Sequence, residues 1–400
     1  MIKIHKPDQV LSKAAITTGS FTSGIGLSQE EADRFLDFVI DESSLKGKVR
    51  IERMNTREKL INVLSLAGKI MKPGVEATDP GETVGISTRQ IRLQAKETIA
   101  IVRISDDAME DNVEGDAFAD HLLGLIARAA ANELEDAWLY GRTGSVSTPT
   151  EITQLFNGWI PQVEDGGNIV DAAGAGFSDR FMEKLKLSAA IKAMPTKFRR
   201  NKSRLRFGMP ADLDQDWSDA VVNVRETALG DQSLELDRAN RYNGVPFDPT
   251  GLYRTDRPVL VVGGGSSTLD NNEAIGDTVL EIGDTANFAA ADKVVIDKGN
   301  GLEEVATIAS VQGGTSITLA APGLQFAHSA SATVEEATAD GADVLLTEYS
   351  NLILGLQRDV RLEPDRLPRL RSTDWVLTMR TDTAIAEAQA AVLLKNLKVK

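Results

Sequence analysis

The sequence predicts an α+β protein of several lobes, with a small all-β module set between stretches of mixed pattern. Three observations carry this reading. The chain has 400 residues, more than one typical compact core holds, and helix-period and strand-period stretches alternate along most of it. One stretch, 105–141, keeps a 3.6-residue apolar period long enough for a structural spine. Another, 264–338, contains only short apolar runs separated by Gly, Asp and Asn, the pattern of a small β module.

Composition narrows the function classes. The chain is 42 % apolar and 26 % charged, enough to bury a core and unlike a disordered protein. It has no cysteine, which excludes disulfides and thiolate metal sites and fits a reducing cytoplasm. Met1-Ile2-Lys3-Ile4-His5-Lys6-Pro7 is not followed by the apolar core of a signal peptide, and no window reaches the ~20 apolar residues of a membrane span. A soluble protein made in the cytoplasm, with no membrane partner, is expected. The formal net charge is −15, from 59 acidic and 44 basic residues. Tight nucleic-acid binders carry a basic face, so this balance argues against one. It suits a container whose wall must not hold DNA fast.

The elements follow in order. Residues 1–30 are rich in Ser, Thr and Gly (Thr17-Thr18-Gly19-Ser20, Thr22-Ser23-Gly24) and read as an extended arm that orders only against something else. Ser28-Gln29-Glu30-Glu31 has capping-box spacing and opens a helix burying Phe35, Phe38 and Val39. From 48 to 104, apolar residues from Val49 and Ile51 to Ile101 and Ile104 alternate with polar ones around the Pro80-Gly81 turn. This predicts a long two-stranded hairpin, which alone is marginal in water and needs a neighbour.

Ser105-Asp106-Asp107 then places cap residues and carboxylates at a helix start, where the dipole favours them. Phe118, Leu122, Leu125, Ile126, Leu134 and Trp138 keep the helix period up to Gly141, for about 28 residues or roughly 42 Å. A second α/β region follows. Ser178 is expected to cap a helix through Leu187 and Ile191 that Pro195 stops, 205–209 is a strand, and Pro210 sits in the first turn of a helix through Trp217. A charged, Gly-flanked loop, 230–244, leads to a strand at Val245-Pro246-Phe247.

Within 264–338, β runs are expected at 278–282, 293–296, 305–308 and 316–319, with 263–267 as the leading linker. Strands resume at 344–346, 352–356, 360–362, 375–380 and 391–394.

Sites for chemistry are hard to find. His5, His121 and His328 lie in three different regions and suggest surface or packing roles. No HExxH, GxSxG, GxGxxG or GxxxxGK[ST] pattern occurs, so no enzyme and no cofactor is expected. The acidic group Asp106, Asp107, Glu110 and Asp111 is explained by helix electrostatics. Asp297, Glu303 and Glu304 lack EF-hand spacing, so no metal is expected there either. Lys197, Arg199, Arg200, Lys202, Arg204 and Arg206 make one basic strip, suited to intersubunit ion pairs or to DNA. Arg358, Arg361 and Arg366, interleaved with Asp359 and Glu363, make a second strip for which intersubunit pairing is expected.

The order of parts resembles the Hong Kong 97-type major capsid proteins of tailed bacteriophages. The resemblance rests on Ile101-Val102-Arg103-Ile104-Ser105-Asp106-Asp107-Ala108-Met109-Glu110-Asp111, Ile126-Ala127 and Glu135-Asp136-Ala137-Trp138-Leu139-Tyr140-Gly141. Asn351-Leu352-Ile353-Leu354-Gly355-Leu356-Gln357-Arg358-Asp359-Val360 and Arg380-Thr381-Asp382 add to it near the C-terminus. It covers nearly the whole chain outside 264–338.

The resemblance implies an N-terminal arm and short helix (1–55), an E-loop hairpin (56–104), a P-domain spine helix (105–149) and an A-domain (150–263). The inserted β domain (264–338) and return strands of the A- and P-domains (339–400) complete it. Glu76, Asp79, Glu82, Arg89 and Arg92 would then belong to an E-loop lying on the adjacent subunit, and Asp231, Glu235, Asp237 and Arg238 to a loop at the capsomer axis.

The implied function is a shell, icosahedral or prolate, built of hexamers and pentamers around double-stranded DNA that it touches weakly and non-specifically. Portal, scaffolding and decoration proteins would be its partners, and the virion its location after assembly in the host cytoplasm. Three departures stand out. The hairpin tip, 75–86, has no Lys for an isopeptide crosslink, only about 50 residues precede the hairpin, and the β module is extra. A separate scaffolding protein and no crosslink are therefore expected, with the module as a structural brace. Two rival readings remain: an encapsulin-type cargo shell, and a carbohydrate- or surface-binding protein acting through the β module.

Overall fold

The structure, a computed structural model, describes residues 45, 47–66, 86–107, 117–144, 149–174, 176–223 and 241–400. The arm, the helix expected after Ser28, the hairpin tip with Glu76, Asp79 and Glu82, and the loop with Asp231, Glu235, Asp237 and Arg238 lie outside them.

The hairpin is shorter than its alternation suggests. Strands β1 (Arg50–Arg53), β2 (Glu58–Leu66), β3 (Ile86–Gln94) and β4 (Lys96–Ser105) come first. β2 and β3 pair antiparallel from Glu58↔Gln94 to Leu66↔Ile86, a separate two-stranded ribbon. At Ala95, which is buried, the chain leaves the ribbon and β4 joins another sheet. Residues 96–105 are thus not an arm of the hairpin. Period-2 alternation marks a strand but cannot name its neighbour, and here the ladder to the C-terminal strands wins.

The long helix, α1 (Ala117–Tyr140), spans 24 described residues, roughly 36 Å. Its last turns bury Leu134, Ala137, Trp138 and Leu139 in one cluster with Leu352, Leu354, Leu356 and Met379. Gly141 closes it: its N–H donates to Ala137 O at 2.8 Å, and a Cβ there would lie 2.5 Å from that oxygen and 2.7 Å from Phe156 O. Helix α2 (Trp159–Gly166) packs beside it, burying Trp159, Ile160 and Val163.

The second lobe combines β5 (Asn168–Asp171), α3 (Lys184–Ala193), α4 (Thr196–Arg199), β6 (Arg206–Pro210), α5 (Ala211–Asn223), β7 (Arg241–Tyr242), β8 (Val245–Thr250) and β9 (Arg257–Leu260). Helix α3 starts at Lys184 and not after Ser178. Asp179 folds back as an Asx turn, accepting the Phe181 N–H at 3.0 Å and Lys186 Nζ at 2.8 Å, while Phe181 bridges to Lys398. Phe207, Met209, Leu213, Trp217 and Phe247 form the core of this lobe with Val344, Leu346 and Leu394.

Residues 266–336 surround a third cluster, including Leu280, Ile282, Val294, Ile296, Ile308, Ile317 and Val334. The strands here are β10 (Ser266–Thr268), which is not among the expected runs, and β11 (Val279–Glu281), β12 (Lys293–Ile296), β13 (Glu304–Gln312) and β14 (Ser316–Leu319), which lie close to expectation. Two boundaries change. The expected linker is an ordered corner in which Ser266–Thr268 pairs with the next strand, and a Cβ at Gly265 would lie 2.5 Å from the Phe288 ring. That next strand, β15 (Thr333–Thr347), runs straight through position 338. Its first part pairs with β12 and its last part with β6 and with β18 (Val392–Leu397), so one 12-stranded sheet joins the module to the second lobe.

The remaining strands, β16 (Leu352–Leu367) and β17 (Ser372–Ile385), complete the four-stranded sheet in the order β1-β16-β17-β4. Expected breaks in 352–362 are absorbed as register shifts within one long strand.

Candidate functional site

The described residues assemble no catalytic constellation, and no group of three or more His, Asp or Glu among them is arranged to hold a metal ion. His328 is the informative case, because it is buried. Its Nε2 lies 2.7 Å from Glu304 Oε1 and its Nδ1 3.9 Å from Asp297 Oδ2. The other Glu304 oxygen accepts the Gln325 N–H at 2.7 Å, and Asp297 accepts from Asn300. These side chains clamp the 297–304 turn to the 325–328 segment. The sequence held no signal for this, since the partners are separated by 24 positions and lie on different strands and loops.

A second polar network lies where the module meets the body. Arg257 reaches down to Asp343, which is only 1 % exposed, and lies 3.5 Å from Glu164. Glu164 also pairs with Arg142, whose Nη1 donates to Gly299 O at 2.8 Å. Burial pushes the Asp343 carboxyl above its ordinary range, with the Arg257 charge and hydrogen bond pulling the other way. Gln154 adds a bond to Gly301 O at 3.1 Å and Lys298 one to Pro258 O at 3.4 Å. The end of α1, α2, β9 and the 297–303 turn are thus held together. Arg254 pairs with Asp136 at 2.6 Å and its N–H donates to Tyr140 Oη at 2.9 Å.

Among the described residues expected at intersubunit contacts, several also pair within the chain. Arg92 pairs with Glu58 across the ribbon, and Arg89 donates to Ala386 O and lies 3.7 Å from Glu387. In the second charge strip, Arg358 and Arg380 share Glu97 at 2.5 and 2.8 Å, and Arg366 pairs with Asp106. Arg103 meets Asp374 at 2.6 Å. Within the chain, the register of β16, β17 and β4 brings carboxylates from 260 or more positions away beside Arg358 and Arg366. Glu363 is exposed on the same strand, and the side chains of Asp359 and Arg361 lie outside the description.

The basic strip stays solvent-facing: Lys197 and Arg199 are in α4, Arg200 follows, and Lys202 and Arg204 form a 3₁₀ turn. Sequence reasoning also missed Ile99 and Ile101, 60 % and 59 % exposed on one face of β4. Glu97 with Arg380 and Arg103 with Asp374 flank them on the same face, so an apolar strip lies between two charged clamps.

No protein-family model matches the chain. Along 395 residues, 98 % of each chain, it is 26 % identical to YqbE of Bacillus subtilis (strain 168), named as a prophage capsid protein. Solved structures similar to it include the capsid of an empty GTA particle (12 % identical, TM-score 0.50, 95 % of this chain and 98 % of that one). The satellite phage P4 procapsid with its size-determination protein gives 10 %, 0.51, 96 % and 95 %. The capsid of Myoviridae phage XM1 gives 10 %, 0.51, 96 % and 100 %. The fold is that of phage capsid subunits, mixed α+β with sheet predominating. Along its whole length the chain is thus similar to a prophage capsid protein, and it shares the fold of capsid subunits.

Proposed function

We propose that this chain is a phage major capsid protein, a structural subunit of a tailed-phage head, in which the β2–β3 ribbon acts as an E-loop lying on the adjacent subunit. One observation carries this. Among the described residues the ribbon's ladder pairs only with itself along nine residues; its packing on its own chain runs from Leu93 and Ala95 at the root to Ile61 and Ile91, with Arg89 bonded to Ala386 O, and Thr88, Arg89 and Gln90 beyond are exposed. Leu60 is 51 % exposed on the ribbon's outer face. An isolated two-stranded ribbon is marginal in water, so a neighbour is the natural cover. The Ile99–Ile101 strip, apolar at its centre and charged at its ends, has the anatomy of a contact surface.

In this reading α1 and the four-stranded sheet form the P-domain, the lobe around β6, β8 and β18 the A-domain, and 264–338 an insertion. The polar network at Arg257 and Gly299 favours the module as a brace. Hexamers and pentamers would assemble in the host cytoplasm with a separate scaffolding protein, around a portal, without an isopeptide crosslink and with weak contact to the DNA. Decoration proteins would bind the finished shell.

Deleting residues 72–84 tests the role of the ribbon. The expected outcome is a folded, soluble protein by circular dichroism that yields no closed shells in negative-stain electron microscopy, with or without the neighbouring phage genes. Normal shells from the deletion refute the locking role. Shells filled with a single enzyme would point to a cargo compartment.

A further inference from the structure

Charge is distributed unevenly along this acidic chain. Between Glu183 and Asp212 there are nine Lys or Arg and no carboxylate. Lys186 is buried against Asp179, but Lys192, Lys197, Arg200 and Arg204 are exposed. Among the described residues, the single carboxylate within 4.0 Å of these four is Glu348, 3.7 Å from Arg204. The β module is the opposite: 264–338 holds eleven Asp or Glu against Lys293 and Lys298. None of those carboxylates forms an ion pair with Lys or Arg among the described residues. Asp270, Glu281 and Asp284 gather at one exposed corner, where the Asp270 N–H donates to Glu281 O at 2.9 Å and the Asp284 N–H to Ser267 Oγ at 3.1 Å.

The two surfaces cannot neutralise each other within one copy. They lie toward opposite ends of the 12-stranded sheet, in the order β11-β14-β13-β12-β15-β6. Even along β15, the pairing with β12 at Glu335 and with β6 at Leu346 are roughly 35 Å apart at ~3.3 Å per residue. That is several times the Debye length of ~8 Å at physiological salt. Opposite charges at opposite ends of one subunit make a heterologous, head-to-tail contact, the kind that closes into rings.

We propose that the basic segment 192–206 of one copy receives the acidic corner Asp270, Glu281 and Asp284 of a second copy, and that this contact helps set subunit order in the shell. The proposal rests on the shell-forming reading above. It prefers a second copy to DNA because the complementary acidic surface, without a Lys or Arg partner among the described residues, is present on every subunit. Complementary charge sets register and suppresses wrong pairings more than it adds affinity.

The test is a charge swap in the full chain. K197E/R200E/R204E and D270K/E281K/D284K are each expected to lower shell yield about tenfold or more, since like charges brought together cost several kcal/mol. Both changes combined in one chain, or the two variants mixed, should restore shells. Circular dichroism melting confirms that each variant folds, and glutamine in place of the reversed charges gives a milder set that should lower shell yield less and make it less sensitive to salt than in the wild-type chain.

Shells of ordinary yield from either reversal overturn the proposal, as does failure of the swap to restore yield in folded protein. If the basic reversal leaves assembly intact but abolishes salt-dependent binding of a 30-base-pair DNA duplex, the segment is a DNA surface and the proposal is wrong. A wild-type chain that forms no shells would instead refute the shell-forming reading itself.

Discussion

Replacing Arg257 with alanine leaves Asp343 buried at 1 % exposure with its principal counter-charge removed. Glu164 retains Arg142, so the loss falls on Asp343. Breaking a buried pair from one side typically costs about 3–5 kcal/mol, because the stranded charge keeps its desolvation penalty. The comparison is Arg254→Ala, which removes a pair whose members are 43 % and 30 % exposed. Such surface pairs are worth about 1 kcal/mol or less. The assay is amide hydrogen exchange in peptides spanning 254–260 and 340–347, which reports local opening of β9 and β15. Arg257→Ala should accelerate exchange there by roughly two to four orders of magnitude, converting the energy at ~1.4 kcal/mol per tenfold.

The effect should also depend on pH in a set direction. Burial already holds the Asp343 carboxyl above its ordinary value, and losing Arg257 raises it further. A folded-state pKa above the unfolded one makes the charged form a liability that grows as pH rises, so the variant should suffer more at pH 8 than at pH 5. Replacing both partners, R257M/D343L, should recover most of the loss. Exchange in Arg257→Ala matching that in Arg254→Ala at pH 8 would refute the argument.

Asp382 offers a second pH test. It accepts the Gln94 N–H at 2.6 Å and the Thr383 N–H at 2.9 Å at the root of the ribbon, and burial pushes its pKa up to about 6. Its contribution to stability therefore falls as pH rises from about 4 through that value, by up to about 3 kcal/mol in all and roughly half of that above pH 5, so exchange around Gln94 should quicken between pH 5 and pH 8 after correction for intrinsic rates. Asp382→Asn should flatten the dependence, and greater protection at pH 8 would contradict it. At the junction of α1 and α2, a Cβ on Gly158 would lie 2.7 Å from the carbonyl of Leu139 and 2.8 Å from Gly141 N. Gly158→Val should lower the melting temperature, by about 1–3 kcal/mol of overpacking, while Gly313→Ala, with open space around it, should not. Equal melting of the two variants would show that the helix end yields freely.

The sequence was most legible where the signal was local. The core positions Leu134, Ala137 and Trp138 of the long helix follow from period alone, and so do the module strands around Leu280, Val294 and Ile317. Two errors came from ambiguous local chemistry. Ser178-Asp179 has the composition of a helix cap, but Asp179 spends its carboxylate on a turn and on Lys186. Ile99 and Ile101 alternate as a hairpin arm does, and only the ladder to Val376 and Thr378 assigns them to a different sheet. The ion pairs that the second charge strip makes within the chain were illegible for a deeper reason. Arg358 meets Glu97 and Arg366 meets Asp106 through strand register, which composition does not encode. The Arg257 and His328 networks were invisible on the same ground, because each joins residues from separate elements.

The continuity of β15 has a mechanical consequence. A domain tethered by flexible linkers swings, and a pull on it straightens the tethers first. Here the same strand is hydrogen-bonded to β12 at one end and to β6 and β18 at the other. Force applied at the outer edge of the module along this strand therefore passes into the second lobe as shear across several ladder bonds that must fail together, a stiffer path than peeling them one by one. Pressure from inside a filled shell, or a blow from outside, would be shared between module and lobe as if they were one plate.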